Sequence, residues 1–159
     1  MIFVTVGTHT QSFNRLLVEM DEIAKNSKEK AIAQIGHSTY IPQHMEWFRF
    51  RDSIDDLYKN ARLIVCHGGA GSILNALVNN KPVIAIPRYK KYGEHVNDHQ
   101  IELVKELKQE GKILVIYDIK NLRKAIFKIR KFKKIISTNK ICDEIENFLK
   151  LQKYVKKQL

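Results

Sequence analysis

Residues 63–72 read LIVCHGGAGS, and residues 70–78 continue as AGSILNALV. An apolar run closed by glycine is a strand signal. Unbroken apolarity rather than alternation is the pattern of a strand covered on both faces. Apolar residues at helical spacing then run from Ala70 to Val78. Strand, glycine-rich turn and helix therefore follow one another within sixteen residues. Gly68, Gly69 and Gly71 let a backbone adopt positive φ and let a ligand approach closely. The helix start offers N–H groups without intrahelical partners and the positive end of its dipole. His67, Gly68, Gly69, Ala70, Gly71 and Ser72 thus make a candidate site for a phosphate or diphosphate. The same residues also suit an ordinary tight turn with a small-residue helix contact.

Working outward, the same alternation repeats. Ile2–Val6 is an apolar run ended by Gly7, and residues 13–25 carry Phe13, Leu16, Leu17, Met20 and Ile23 at helical spacing. Ala31–Ile35 is a second strand ended by Gly36, and the aromatic-rich Glu46–Phe50 a third. Ser53-Ile-Asp-Asp56 has the form of a helix start, with the helix running through Asn60. Leu63–Cys66 is the fourth strand and Pro82–Ile86 the fifth. Asp98 is placed to cap a helix ending near Gly111, and Ile113–Tyr117 is a sixth strand. Short apolar strands alternating with helices predict an α/β fold: a Rossmann-like parallel sheet with helices on both faces.

The chain has 159 residues, one domain's worth, and the domain is taken as 1–159. Its two cysteines, Cys66 and Cys142, exclude a disulfide scaffold and a paired-cysteine zinc site. No apolar run approaches the roughly 18 residues that span a bilayer, and MIFVTV lacks the basic start of a signal peptide. A cytoplasmic protein, or one working at the cytoplasmic face of a membrane, is expected. The net charge of +11 suggests an anionic partner. Residues 1–119 hold 15 Lys+Arg and 14 Asp+Glu, whereas residues 120–159 hold 13 and 3. The excess is therefore a basic C-terminal segment, about 118–159, on a neutral body. It carries an apolar stripe through Leu122, Ala125, Ile126, Ile129, Phe132 and Ile136, with a last helix expected over 140–155.

In open α/β sheets ligands bind beyond the carboxyl ends of the strands. Those positions hold Gly7-Thr8-His9, Gly36-His37, His67–Ser72, and the loop from Pro87 with Arg88, Glu94 and His95, then His99-Gln100. Five of six histidines fall at this one edge, which favours a site over chance. The Gly-x-Gly-x-x-Gly dinucleotide fingerprint is missing after the first strand, and there is no Walker-type phosphate loop. Ser72 is not in a nucleophile elbow. No Asp-x-Asp occurs, which weakens metal-bridged binding of a sugar nucleotide.

The opening MIFVTVGTHTQSFNRL and the stretch VCHGGAGSILNALVNNKPVIAIPRYKKYGEHVNDHQIELVKEL resemble the small soluble subunits of two-component bacterial glycosyltransferases. These belong to glycosyltransferase family 28 and make capsule and exopolysaccharide units. They are similar to the catalytic subunit of the eukaryotic enzyme that adds the second N-acetylglucosamine to the dolichol-linked glycan. The resemblance covers about residues 1–117. It implies one half of a GT-B fold that binds a UDP-sugar. A membrane-anchored partner would hold a lipid-linked saccharide acceptor, with inversion at the transferred hexose and no cofactor or metal.

The resemblance also implies roles. His67–Ser72 would bind the diphosphate, with Gly7 and Thr8 lining the same cleft. His99 and Gln100 would contact the ribose or donor sugar, and Phe50 and Arg51 would flank the uracil. Glu94 and His95 lie in a Tyr-Gly-Glu-His segment typical of the bacterial branch. Asn75 stands where relatives often carry a glutamate for the ribose hydroxyls, so its hydrogen bond would lack charge assistance. Arg88 and His95 are candidates to supply charge or a proton to the leaving diphosphate. His9 is a candidate base for the acceptor hydroxyl, the alternative being that it only positions its loop and the base lies on the partner. The basic segment reads as a solvated helix face, an anionic-lipid contact over 119–159, or a docking element for the partner. A nucleic-acid-binding module rests on charge alone, without an RNA-binding or helix-turn-helix signature. A non-catalytic sugar-nucleotide regulator is the other alternative. A homodimer of the isolated chain fits an apolar patch awaiting a partner.

Overall fold

The computed structural model describes residues 1–96 and 99–129. Six parallel strands form one sheet: β1 (Ile2–Thr5), β2 (Ala31–Gln34), β3 (Glu46–Phe48), β4 (Leu63–His67), β5 (Val83–Ile86) and β6 (Leu114–Val115). Their order is β3-β2-β1-β4-β5-β6. The chain builds outward from β1 on one side, then returns to β4 and builds outward on the other. The crevice between the carboxyl ends of β1 and β4 is therefore the topological switch point, where such sheets bind ligands.

The helices are α1 (Asn14–Lys25), α2 (Asp55–Asn60), α3 (Ala70–Val78), α4 (His99–Gln109) and α5 (Leu122–Ile129). Strand side chains alternate between two cores. On one face Val4, Leu63, Val65 and Ile84 pack with Leu16, Leu17 and Met20 of α1 and Leu122 and Ile126 of α5. On the other, Phe3, Ile64, Cys66 and Ala85 pack with Leu57 of α2, Ile73 and Leu77 of α3, and Val104 and Leu107 of α4. Two buried faces are why the strands read as apolar runs. Each fully buried Leu or Phe contributes about 1.5–3 kcal/mol.

Several boundaries differ from the sequence expectation: β1 and β2 end one residue early, at Thr5 and Gln34, and β5 begins at Val83 rather than Pro82. β4 runs one residue further, because His67 keeps register with Ile86 of β5. β3 stops at Phe48, and beyond it the Arg49 guanidinium donates to the Gly36 and Ser38 carbonyls, closing the edge instead of extending it. β6 is only two residues long. Ser53 does not cap α2. The capping position is Ile54, and the Ser53 hydroxyl, one residue earlier, accepts from the Asp55 N–H at 3.3 Å. Asp98, the Phe132–Ile136 end of the stripe, Cys142 and the expected 140–155 helix lie outside the described residues.

The β2–β3 connection is held by one buried carboxylate. Asp21, 2% exposed, accepts from the backbone N–H groups of Gln43 (2.9 Å) and His44 (2.8 Å) and from the Tyr40 hydroxyl (2.8 Å). Burial by itself would raise its pKa, but these donors outweigh it and the net shift is downward. The stability it contributes is thus present at neutral pH and is lost as pH falls through its folded pKa. Asp21→Asn keeps the shape but turns an acceptor into a donor, so a loss of about 2–3 kcal/mol is expected in urea denaturation at pH 7.

Candidate active site

A cleft of roughly 670 Å³ opens at the switch point. Gly7, Thr8 and His9 line it from the end of β1, His67 from β4, Gly71, Ser72 and Asn75 from α3, and Gln100 from α4. These eight sequence-expected residues are therefore brought together. Another hollow, about 560 Å³, lies at the opposite edge among Ile2, Ile126 and Phe127, away from the histidine-bearing strand ends.

The cleft's floor is built around one imidazole. His67 Nδ1 accepts from the Gly69 N–H at 3.1 Å, which leaves the ring proton on Nε2, 3.1 Å from the Ser72 hydroxyl. The buried Tyr58 hydroxyl faces Ser72, and the Gln100 side chain also reaches His67. A Cβ at Gly7 or at Gly69 would overlap the His67 ring. This corrects the expected role of the glycines. None of Gly68, Gly69 and Gly71 has positive φ, whereas Gly7 does, at 74°. Gly68 is needed against Val104 and Gln100, and Gly69 against His67. Only Gly71 faces open space where a ligand can approach. Burial, reinforced by Arg88, His95 and His9, pushes the His67 pKa down to about 3, so the ring is neutral at physiological pH.

The N-cap of α3 is Gly69, so the helix has no side-chain cap, and its first turn holds no acidic residue. Its first N–H groups and the positive dipole end thus have no internal counter-charge. They adjoin Gly71 and Ser72, which line the cleft.

Arg88 is placed differently from the expectation that it reaches a ligand. It is fully buried, and its guanidinium donates to the carbonyls of Val6 and Gln11 (2.8 Å each), Glu94 (2.8 Å) and Ser12 (3.4 Å). The Phe13 ring lies 4.8 Å away. Burial lowers its pKa to about 10, which leaves it charged at neutral pH. Glu94 is likewise internal, gripping Arg15 through two bonds of 2.9 Å and accepting from the Tyr89 N–H at 3.0 Å. Arg88 ties the β1–α1 loop, and Glu94 the first turn of α1, to the loop after β5. One result is that His95 stacks on His9, with ring centres 4.5 Å apart. His9 Nδ1 accepts from the Gln11 N–H at 3.3 Å, and burial, His95 and Arg88 lower its pKa.

Phe50 and Arg51 stand outside the cleft lining. The Phe50 ring lies 5.0 Å from His37, and Arg51 lies over Phe48 and 3.8 Å from Asp56. His99 starts α4, and its side chain is outside the described set. Sequence reasoning missed Thr10, Gln34, Ile54 and Tyr58 in the lining. Gln34 carried a readable signal, a polar residue inside an apolar strand. Its carboxamide oxygen accepts from Thr5 Oγ1 at 2.7 Å. Tyr58 gave none, because only the packing of α2 brings its hydroxyl to Ser72.

Sheet order, switch-point cleft and uncapped helix define a Rossmann-like α/β domain of the kind that forms one half of GT-B glycosyltransferases. The chain belongs to glycosyltransferase family 28, as its C-terminal domain, whose model matches residues 1–155. Among curated relatives, the human UDP-N-acetylglucosamine transferase subunit ALG13 is 32% identical over 123 residues, 69% of this chain and 10% of that protein. The Candida albicans protein of the same name is 30% identical over 79 residues, half of this chain and a quarter of its own length. The chain thus spans only a small part of these relatives. Among solved structures, the glycotransferase of kitacinnamycin superposes with a TM-score of 0.65 at 16% identity, over 92% of this chain and 37% of that one. Acinetobacter baumannii MurG superposes at 0.59 and 16%, over 81% and 41%. At such identities the likeness is one of fold.

Two outcomes are expected. Arg88→Met leaves several buried carbonyls without donors and lowers stability by about 3–5 kcal/mol in chemical denaturation. His67 binds a proton more readily unfolded than folded, so stability falls as pH drops below about 6.5. His67→Asn makes that acid limb shallower in thermal melts between about pH 4 and 6.5.

Proposed function

We propose that this chain is the donor-binding, catalytic subunit of an inverting, metal-independent glycosyltransferase. It moves a hexosyl group from a UDP-sugar to a lipid-linked saccharide held by a membrane-bound partner. The observation that carries the reading is the uncapped, acid-free start of α3, open beside Gly71, Ser72 and Gln100 at the switch point. Family membership supports it, as does the word subunit in the names of the curated relatives.

Departure of UDP puts growing negative charge on the diphosphate. Fixed donors aimed at that charge stabilise it without reorganising as it develops. In this chain those donors are the α3 N–H groups and the Ser72 hydroxyl, which His67 holds in place. Thr8 and Gly7 border the phosphates, Gln100 and His99 the ribose or sugar, and Asn75 hydrogen-bonds a diol without charge assistance. Phe50 and Arg51 serve the uracil if the base extends past Ile54 toward β3. Arg88 and Glu94 position the loops, and His95 stands at the mouth through its stack on His9. The base that deprotonates the acceptor hydroxyl comes from the partner, which places transfer at the interface of the two chains.

The product is a capsule or exopolysaccharide repeat unit, made at the cytoplasmic face of the membrane. Among the described residues no helix is long and apolar enough to cross a membrane. Attachment would come from the partner and from the basic segment 119–159, at about 1 kcal/mol per Lys or Arg near anionic lipid.

Titrating the isolated chain with UDP-sugars, ADP and NAD at moderate salt tests the reading. Selective binding of the uridine nucleotides is expected, and Ser72→Ala should weaken it about five- to tenfold. Equal affinity for all three, or salt-governed binding to any polynucleotide, would overturn it.

A further inference from the structure

We propose that His9 is a neutral, tautomer-locked Nε2–H donor to the ligand in the switch-point cleft, and not a base. The inference rests on the UDP-sugar reading and adds a donor to it.

The argument starts from the two nitrogens of the ring. A neutral imidazole has one N–H and one lone pair. His9 Nδ1 uses its lone pair to accept the Gln11 N–H at 3.3 Å. The proton must then sit on Nε2. A base needs a free lone pair, and this ring has none to offer while the Gln11 bond stands. Adding a second proton at Nδ1 would set it against the Gln11 N–H.

The same arrangement occurs next door. His67 Nδ1 accepts the N–H of Gly69, two residues on, as His9 accepts that of Gln11. The two residues follow or end β1 and β4, which are directly paired, and both line the cleft. The fold thus sets two imidazoles of one tautomer at its switch point. They differ in what Nε2 meets: that of His67 is engaged by Ser72.

The surroundings keep His9 neutral and in place. The His95 ring stacks on it at 4.5 Å and 31°, which restrains the ring plane. Its burial opposes a positive charge on it, as do His95 when protonated and Arg88. His67 also faces this cluster. The nearest acid of the β5–α4 loop among the described residues, Glu94, is committed to Arg15 and does not supply a counter-charge. An uncharged N–H donor supports an anion over the whole neutral range, which an imidazolium titrating near 6.5 would not.

Two measurements on the full chain test this. The first is a long-range proton–nitrogen correlation of the histidine rings at about pH 7.5, with His9 assigned by its loss in His9→Gln. The Nε2–H pattern is expected, and an Nδ1–H or averaged pattern would overturn the lock. The second is affinity for UDP-N-acetylglucosamine, whose phosphates do not titrate near neutrality. His9→Ala should weaken it about tenfold, while His9→Gln, whose amide can reach the same place as an N–H donor, should stay within about threefold of the parent. An unchanged His9→Ala, or His9→Gln falling as far as His9→Ala, would overturn the donor role alone. A parent chain that binds no UDP-sugar would overturn the nucleotide reading and the donor role together.

Discussion

The buried guanidinium of Arg88 is the interaction on which the site depends. It collects carbonyls from the β1–α1 loop, at Val6, Gln11 and Ser12, and from Glu94 beyond β5. A planar, permanently charged group with five donors can satisfy several carbonyls at once, which lysine cannot. Without it, two loops from strands that are not neighbours would carry unpaired polar groups into the interior. With it, they are fixed against each other beside the cleft. Glu94 completes the clasp by holding Arg15, so the charges in this region face each other rather than solvent. The result is a rigid wall that carries His9 and His95.

On the facing side the rigidity has a different source. His67 fills the space left by the missing side chains of Gly7 and Gly69. Its ring joins the end of β1 to the start of α3, and its Nε2–H orients Ser72. A burial that would be costly for a charged imidazole is tolerable because the ring stays neutral. The glycine-rich turn therefore does two jobs with different residues. Gly68 and Gly69 accommodate the protein's own atoms, and Gly71 leaves room for a ligand.

How much of this was legible without coordinates depends on the kind of residue. Apolar runs reveal strands directly, because burial on both faces demands them, so β1, β2, β4 and β5 fell within one residue of where the pattern set them. β3 and β6 lie at the sheet edges, where burial weakens and the pattern loses its hold on length. The cleft's glycines, histidines, Ser72 and Gln100 were readable from their places after strands, and Asn75 from the family resemblance. Arg88 and Glu94 were read as ligand-facing because their loop follows the carboxyl end of a strand and the family resemblance gave it a role at the site. Their burial comes from partners 76–82 positions away in the chain, which no local pattern shows.

The sequence by itself determined the fold class, the edge at which the site lies and the family. Each follows from local order: apolar periodicity, glycines after strands, and motifs that stay contiguous. Only the tertiary structure decided what the polar residues do. Tyr58 joins the site because α2 packs under α3. His9 holds its tautomer because a backbone N–H two residues on is turned toward it and His95 lies against its ring. Hydrogen-bond direction, burial and ring contact are set by distances between separate segments, and those distances exist only once the sheet has assembled.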